Sequence, residues 1–328
     1  MCLQVGAQSP GASASSAGAA SVPLPASEAQ PDVRAWWARI QSAASNRNYQ
    51  GTLVFSAGGR VSSSRVAHYC DGSQRYQRID ALDGQARMVL RHNELVKTLW
   101  PANRVAVVEP RQALSGFPAL PSGDVNPAAS YEARLLGHER IAGHDAQVLL
   151  FKPRDNLRFA QRLWAERETG LLLRADVLDP QGEVLETSAF TDLHMGARMQ
   201  PEAVVAAMKS QAGWKELRPQ IGRTQLDAEG WVLAQPVPGF SLVNCVKRPL
   251  VADGAGDVQV LQSVFSDGLT QVSVFVEPFD AQRHQASRSR VGATHSVASQ
   301  AGAWWITVVG DVPMATANQF TKALERKR

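Results

Sequence analysis

The sequence predicts an α+β fold, mainly of antiparallel β-strands, with a large N-terminal sheet domain followed by a smaller C-terminal sheet-and-helix domain. The chain has 328 residues, of which 44% are hydrophobic, and this length suits about two domains of roughly 100 to 200 residues each. Short apolar runs recur along the chain, separated by turn-forming pairs such as Gly58-Gly59 and Asp71-Gly72. Helices are expected only in three short stretches, so strands dominate the prediction.

The first domain is predicted to begin with a helix at Pro31, because Trp36, Trp37, Ile40 and Ala44 recur at helical spacing. The predicted strands are residues 52–55, 61–70, 75–82, 87–91, 95–100, 105–108, 131–136, 146–151, 161–166, 171–178 and 184–193. A single sheet of this size would curl into a barrel-like shape, with the helix against its inner face. Prolines and glycines in residues 110–130 predict a long loop.

The predicted boundaries divide the chain into four parts: low-complexity residues 1–30, a first domain 31–208, a linker 209–228 and a second domain 229–328. A short helix over residues 201–208 starts with proline, and the polar stretch after it lacks apolar periodicity. In the second domain, alternating residues around Ser266-Asp267-Gly268 predict a half-buried hairpin. A strand over residues 304–309 and a helix over residues 313–324 complete this domain.

The N-terminal segment gives two interpretations of where the protein acts. Residues 1–29 are mostly small or polar, carry no charge before Glu28 and show neither a basic n-region nor an apolar h-region. Either the protein is cytosolic with a flexible tail, or the chain starts within or after an export signal. The small-residue run over residues 12–20 favours export. No stretch of the sequence approaches the ~20 consecutive apolar residues of a membrane span.

Charge and cysteine content narrow the classes of partner. The net charge is only +4, and the arginines are scattered rather than gathered into a basic run, which argues against a dedicated nucleic-acid binder. Arginine also recognises phosphates and carboxylates, so a lipid headgroup or an acidic peptide fits the composition. The cysteines Cys2, Cys70 and Cys245 are too few for a disulfide framework. A disulfide between Cys70 and Cys245 would depend on their geometry in the fold.

Motifs that carry catalysis do not occur in the sequence. There is no H-E-x-x-H or C-x-x-C metal motif, no G-x-S-x-G elbow, no Walker loop and no G-x-G-x-x-G fingerprint. His138 and His144 could face each other across a hairpin, but no third metal-type ligand lies near them in sequence. Acid pairs such as Asp176 with Asp179 fall at predicted turns. We therefore predict a protein that is not an enzyme and that needs no cofactor or metal.

The strand-and-turn motifs occur together in an order that resembles the RseB/MucB family of negative regulators of envelope-stress sigma factors. The resemblance runs from about Trp36 to Leu324. The motifs that carry it are residues 49–55 (YQGTLVF), 131–141 (YEARLLGHERI), 162–173 (RLWAERETGLLL), 264–269 (VFSDGL), 272–278 (VSVFVEP) and 307–313 (TVVGDVP).

This resemblance implies an N-terminal half-barrel similar to the lipoprotein carriers LolA and LolB, wrapped around helices, and a C-terminal domain that binds an anti-sigma factor. It also implies export to the periplasm and binding to the periplasmic segment of a single-pass anti-sigma factor of the RseA or MucA type. Binding would shield that segment from a DegS-type site-one protease, and lipid or lipopolysaccharide would release it. A homo-oligomer is compatible with this interpretation.

The binding residues predicted on this basis form three groups, although each aromatic residue also fits a plain core position and each arginine a solvated loop. The candidates for the lipid groove are Trp100, Phe117, Phe159, Trp164 and Leu172. Those for the lipid headgroup are Arg154, Arg158 and Arg162, and those for the anti-sigma factor are Phe265, Phe275 and Trp304.

Two other functions stay open. A periplasmic lipid or lipoprotein carrier of the LolA type would use the same half-barrel, because fold alone does not define function. The second domain argues against a carrier, which needs only the first. An envelope hydrolase would need an acid, base or nucleophile set, and the sequence shows none; a glycosidase-type acid pair is defined by separation in space and stays open.

Overall fold

The first helix, α1 (Val33–Asn46), forms where the apolar spacing predicts it. The side chain of Asp32 caps its N-terminus by accepting a hydrogen bond of 2.8 Å from the Arg34 N–H. Val33, Trp37, Ile40 and Ala43 are buried along one face. The computed structural model describes residues 32–110, 127–198, 200–209, 211–249 and 258–327.

A 12-stranded sheet, here called the first sheet, makes up most of the N-terminal half. Its strands lie in the order β12-β6-β5-β4-β3-β2-β1-β11-β10-β9-β8-β7, and only the β12–β6 pairing is parallel. The strands are β1 (Tyr49–Ala57), β2 (Arg60–Cys70), β3 (Arg75–Ala81), β4 (Met88–His92), β5 (Leu95–Trp100), β6 (Val105–Pro110), β7 (Tyr131–Ile141), β8 (His144–Pro153), β9 (Ala160–Glu166), β10 (Leu172–Leu178), β11 (Val184–Met195) and β12 (Lys215–Leu217).

A seven-stranded antiparallel sheet, here called the second sheet, follows in the order β13-β15-β16-β17-β20-β19-β18. A separate pair, β14 (Trp231–Leu233) with β21 (Leu324–Arg326), lies outside it. The strands of the second sheet are β13 (Gly222–Arg223), β15 (Ser241–Pro249), β16 (Gln259–Ser266), β17 (Gln271–Pro278), β18 (Ser287–Val291), β19 (Thr294–Ala301) and β20 (Trp304–Gly310). Two further helices are α2 (Pro201–Lys209) and α3 (Met314–Ala323). The predicted α+β class and the smaller second sheet are confirmed.

Each sheet has its own apolar core. The buried face of α1 packs in a cluster that includes Tyr131, Phe151 and Leu163 of the first sheet. In the second sheet, Phe265 of β16 and Phe320 of α3 lie in one cluster, with ring centroids 5.1 Å apart. Burial of such side chains provides most of the stabilising free energy of a fold.

The stretch predicted as the linker, residues 209–228, contains two short strands. β12 pairs with β6 of the first sheet, and β13 pairs with β15 of the second. The half of this stretch that precedes β13 is also held by Lys97, whose ammonium group lies 2.9 Å from both the Met208 carbonyl and the Glu216 carboxylate. The sequence did not indicate these two strands, because backbone pairing with either sheet needs no apolar side-chain pattern. The domain boundaries stay predictions.

Several other expectations can be compared with the described residues. Cys70 and Cys245 are both free thiols, so the disulfide is not formed. Most of the predicted long loop, including the groove candidate Phe117, lies outside the described residues, as do residues 1–30 and Cys2. In the described part of the chain, no helix has the length and apolar character that crossing a membrane requires, and no cluster of side chains suits a metal ion.

Candidate functional site

Arg158, a predicted headgroup ligand, is instead the centre of a buried ion-pair cluster that joins the two sheets. Its side chain is fully buried, and its Nη1 donates a 3.0 Å hydrogen bond to Asp267, which is also fully buried. Its Nε donates to Asp155 at 3.0 Å, and its Nη2 donates to the Pro238 carbonyl at 2.7 Å. Each guanidinium nitrogen therefore has a protein partner, and the side chain has no exposed face for a lipid phosphate. This buried position argues against the headgroup role predicted for Arg158.

Asp267 reaches this cluster because it lies in the tight turn between β16 and β17. Its Oδ1 accepts hydrogen bonds from the N–H groups of Leu269 and Thr270, which fix the turn. Its Oδ2 accepts from Arg158 and from the Tyr131 hydroxyl, which is 2.9 Å away. Burial raises the pKa of Asp267, although Arg158 and the two backbone N–H groups oppose that shift. Burial and the nearby Asp267 carboxylate raise the pKa of Tyr131 well above its usual value.

Trp164, a predicted groove residue, is 2% exposed and belongs to an apolar core cluster that includes Val148 and Leu171. It alternates along β9 with Leu163 and Ala165, which pack in the α1 cluster, so its ring is on the opposite face of the strand. The guanidinium carbons of Arg162 and Arg174 lie 5.1 Å and 4.5 Å from its ring centroid. Its indole N–H donates to Glu139 at 2.9 Å. Trp164 is therefore buried between an apolar cluster and charged side chains, with almost no surface open to a ligand.

A second buried carboxylate, Asp176 on β10, organises those arginines. It accepts hydrogen bonds from Arg162 Nη2 at 3.0 Å and from Arg174 Nε at 2.8 Å, and the Thr187 hydroxyl donates to it at 3.0 Å. Both arginine side chains remain about one-third exposed, whereas Asp176 is fully buried. Arg162 can therefore meet solvent, but its charge is already shared with Asp176.

The remaining candidates of the first sheet occupy different environments. Leu172 is 2% exposed and packs in the α1 cluster, which is a core position. Trp100 ends β5 opposite Val105 and is partly exposed. Arg154 is exposed at the end of β8. The structure therefore does not gather Trp100, Trp164 and Leu172 into one groove.

Phe159 lines a cavity of about 510 Å³ between the two sheets. Its lining from the first sheet comes from the loop before β9 and the turn before β11, and its lining from the second sheet comes from β18, β19 and the start of α3. The lining is mostly apolar and includes Leu178, Pro313 and Met314. This volume lies within the range of about 300 to 1,000 Å³ that is usual for small-molecule sites.

The predicted partner-binding residues of the second sheet also lie in different environments. Phe265 is 3% exposed and belongs to the core, whereas Phe275 is partly exposed on β17, opposite Gln262 and Thr307. Trp304 lines another cavity, of about 500 Å³, beside the β14–β21 pair. Its ring packs edge-on against Trp231 at 5.7 Å, and the Arg326 guanidinium lies over both rings. Trp304 is thus a predicted partner-binding residue that lines a cavity, whereas Phe265 is a core residue.

Asp267 and Asp176 were predicted only as turn residues, although Asp176 lies within β10, and Arg174 was not predicted to have a role. The Ser266-Asp267-Gly268 turn was visible as a turn, and an acidic residue there fits its role in capping turn N–H groups. Its second role depends on Tyr131 and Arg158, which are 136 and 109 residues away along the chain. No sequence spacing could indicate that contact.

The two sheets are thus joined by a buried ion pair and have a largely apolar cavity between them. The family descriptions that match the chain are the MucB/RseB N-terminal domain over residues 32–208 and the MucB/RseB C-terminal domain over residues 225–325. The chain therefore belongs to the MucB/RseB family.

Individual relatives are similar along nearly their whole length. The sigma factor AlgU regulatory protein MucB of Pseudomonas aeruginosa is 29% identical over 325 residues, which cover 92% of this chain and 93% of that protein. The sigma-E factor regulatory protein RseB of Salmonella typhimurium is 26% identical, with 90% and 92% covered. A crystal structure of MucB in complex with MucA(peri) covers 90% of this chain and 100% of that chain, at 26% identity and a TM-score of 0.67.

Proposed function

We propose that this protein is a periplasmic regulator that binds the periplasmic segment of a single-pass anti-sigma factor. The observation that carries the proposal is the full-length similarity to MucB, which has been solved in complex with MucA(peri). Both family domains are matched, so the chain has the parts that such a regulator uses. The ion pair between Arg158 and Asp267 supports the same function, because it would present both sheets to a partner as one unit.

Binding in this proposal shields the segment from site-one protease, and lipid or lipopolysaccharide releases it. A ligand can displace a partner only through its different affinities for the free and the partner-bound protein. The cavity between the sheets supports such a coupling, because its lining comes from both of them. A ligand there would respond to any change in how the sheets are placed when the partner binds.

Binding to purified MucA(peri) tests the first part of the proposal. We expect saturable binding by calorimetry and slower cleavage of MucA(peri) by a DegS-type protease when the protein is present. Addition of lipopolysaccharide should restore cleavage in proportion to release. Absence of binding at protein concentrations of about 100 μM would reject the proposal, because such an affinity would be weaker than that of most specific complexes.

A lipid or lipoprotein carrier is the second candidate, and the apolar cavity favours it. The second sheet argues against it, because transport by the first domain alone would not need the buried ion pair that Arg158 makes with the turn between β16 and β17. Affinity capture from an envelope extract separates the two functions. Recovery of one single-pass anti-sigma factor supports regulation, whereas recovery of many lipoproteins supports transport. Export is tested by fractionation, with the protein expected in the periplasm.

A further inference from the structure

The cavity between the two sheets has an apolar interior with basic residues in its lining. Phe159 and Leu178 from the first sheet are buried around it, and Pro313 and Met314 at the start of α3 form part of the opposite wall. Lys152 at the end of β8 and Arg290 on β18 also line it, and both side chains are exposed. The two cations come from different sheets, so the cavity has a positive group on each side.

The acidic residues in the lining are already engaged by the protein. Asp155 accepts hydrogen bonds from Arg158 Nε and from the Leu157 N–H, both at 3.0 Å. Asp179 accepts from the N–H groups of Gln181 and Glu183, both at 2.9 Å, within the turn before β11. These carboxylates are used to fix their loops, so neither is directed at a cation of the cavity.

Arg290 differs from these groups because it has no ion-pair partner in the described part of the chain. It lies opposite His295 on β19, whose Nδ1 is 2.6 Å from the Val312 carbonyl. Lys152 lies opposite Glu132, but that carboxylate has a closer partner in Arg134, at 2.8 Å. A guanidinium without a partner beside an apolar wall is suited to bidentate binding of a carboxylate or phosphate.

We propose that this cavity binds an anionic amphiphile, with the acyl chain against Phe159, Leu178 and Met314 and the anionic head at Arg290 and Lys152. The head chemistry is a carboxylate or a phosphate monoester, as in a fatty acid or a phosphorylated lipid. This inference deepens the proposed function, on which it rests, by giving the releasing lipid a site. It moves the headgroup contact from the arginines near β9 to Arg290 on the second sheet.

The experiment measures binding of four probes to the full-length protein. The three amphiphiles among them are kept below their critical micelle concentrations. Dodecyl phosphate and dodecanoate carry the chain with the two anionic heads and so separate the two lipid sources. Dodecyl maltoside carries the same chain with a neutral head, and inorganic phosphate carries the head without a chain. We expect one or both anionic amphiphiles to bind, and the maltoside and inorganic phosphate to bind at least about tenfold more weakly, because the charge-assisted contacts and the apolar burial are both needed.

Three variants locate the site. Arg290→Glu should weaken binding of the anionic amphiphile by about tenfold or more. Arg288→Glu is the matched control, because Arg288 is exposed on the same strand but does not line the cavity, and binding should stay within about twofold. Ala160→Leu fills the cavity beside Leu178 and should weaken amphiphile binding although both cations remain. Melting temperatures show that each variant is folded.

The proposal is overturned if the maltoside binds as tightly as the anionic amphiphiles, if Arg288→Glu weakens binding as much as Arg290→Glu, or if no chain-bearing probe binds. A separate measurement tests the proposed function. If lipopolysaccharide still releases MucA(peri) from a variant that no longer binds the amphiphile, the cavity is not the releasing site, and the proposed regulatory function is supported. If the amphiphile binds through Arg290 but releases no MucA(peri), the binding site is supported and the proposed release by lipid is wrong.

Discussion

Arg158 and Arg162 are four residues apart in the sequence and both lie beside a buried aspartate, yet they belong to different kinds of region. Arg158 is fully buried and links the first sheet to Asp267 in the second. Arg162 is about one-third exposed and binds Asp176 within the first sheet, where Arg174 binds the same carboxylate. The first cluster therefore depends on one cation, whereas the second shares its anion between two.

This difference predicts how each cluster responds to loss of an arginine. A buried carboxylate that loses its only cation keeps the cost of desolvation without the compensating attraction. A carboxylate with a second arginine keeps a cation beside it when the first is removed. The number of cations around the aspartate, rather than its total number of hydrogen bonds, decides which arginine is essential to the fold.

Arg158→Met should therefore have the largest effect on stability. The variant leaves Asp267 buried without a cation, and the free energy of unfolding should fall by about 3 to 5 kcal/mol. Denaturant titration followed by fluorescence measures this change. Arg154→Met is the control, because Arg154 is exposed and should change stability by no more than about 0.5 kcal/mol. Equal costs for the two variants would contradict the role assigned to the buried pair.

The effect of Trp164→Phe should be smaller, because the ring position is kept. The substitution removes the 2.9 Å hydrogen bond to Glu139 and weakens the stacking of Arg162 and Arg174. We expect a loss of about 2 kcal/mol in the free energy of unfolding. Amphiphile binding should be unchanged, since Trp164 does not line the cavity between the sheets. Loss of amphiphile binding without loss of stability would instead support the prediction that Trp164 contacts the lipid.

Arg162→Met tests the second cluster directly. Arg174 still donates through Nε and Nη2 to Asp176, at 2.8 and 2.9 Å. Arg162 Nε is buried without a hydrogen-bond partner among the described residues, so its removal also relieves an unfavourable group. The expected loss is about 1 kcal/mol or less by denaturant titration. A cost as large as that of Arg158→Met would show that the number of cations around the aspartate is not the deciding factor.

These two clusters also show what could and could not be predicted from the sequence. The strand that carries Trp164, the turn that carries Asp267 and the helix that carries Trp37 were all predicted, because each depends on local spacing and turn chemistry. The burial of Arg158 could not be predicted, since it depends on contacts between residues more than 100 positions apart. The short strands β12 and β13 were missed because they pair through backbone groups and have no alternating apolar pattern.

Another contact between the two sheets involves Glu186 and should make stability depend on pH. Glu186 Oε2 lies 3.4 Å from the Ala293 N–H, which donates to it across the contact. Burial, together with the nearby Asp311 carboxylate, raises the pKa of Glu186 from its ordinary value of 4.5 to about 7. Burial also raises the pKa of Asp311, which accepts a hydrogen bond from the Thr294 hydroxyl, while His295 opposes that shift.

The direction in which stability changes with pH follows from proton binding to Glu186. Between about pH 4.5 and 7 the folded protein holds a proton on Glu186 that the unfolded chain has lost. The stabilising contribution is therefore complete below pH 4.5 and is lost as the pH rises through about 7.

Glu186→Gln imitates the protonated side chain, so the stability of this variant should vary less with pH in this window. Near pH 8 the free energy of unfolding of the variant should be higher than that of the parent by about 1 kcal/mol or less, because Glu186 is only partly buried. Glu183→Gln is the control, since Glu183 is exposed in the preceding turn. Parallel profiles of stability against pH for the parent and Glu186→Gln would show that the protonation of this carboxyl does not change on folding. In that case the Arg158 cluster, rather than Glu186, would hold the two sheets together.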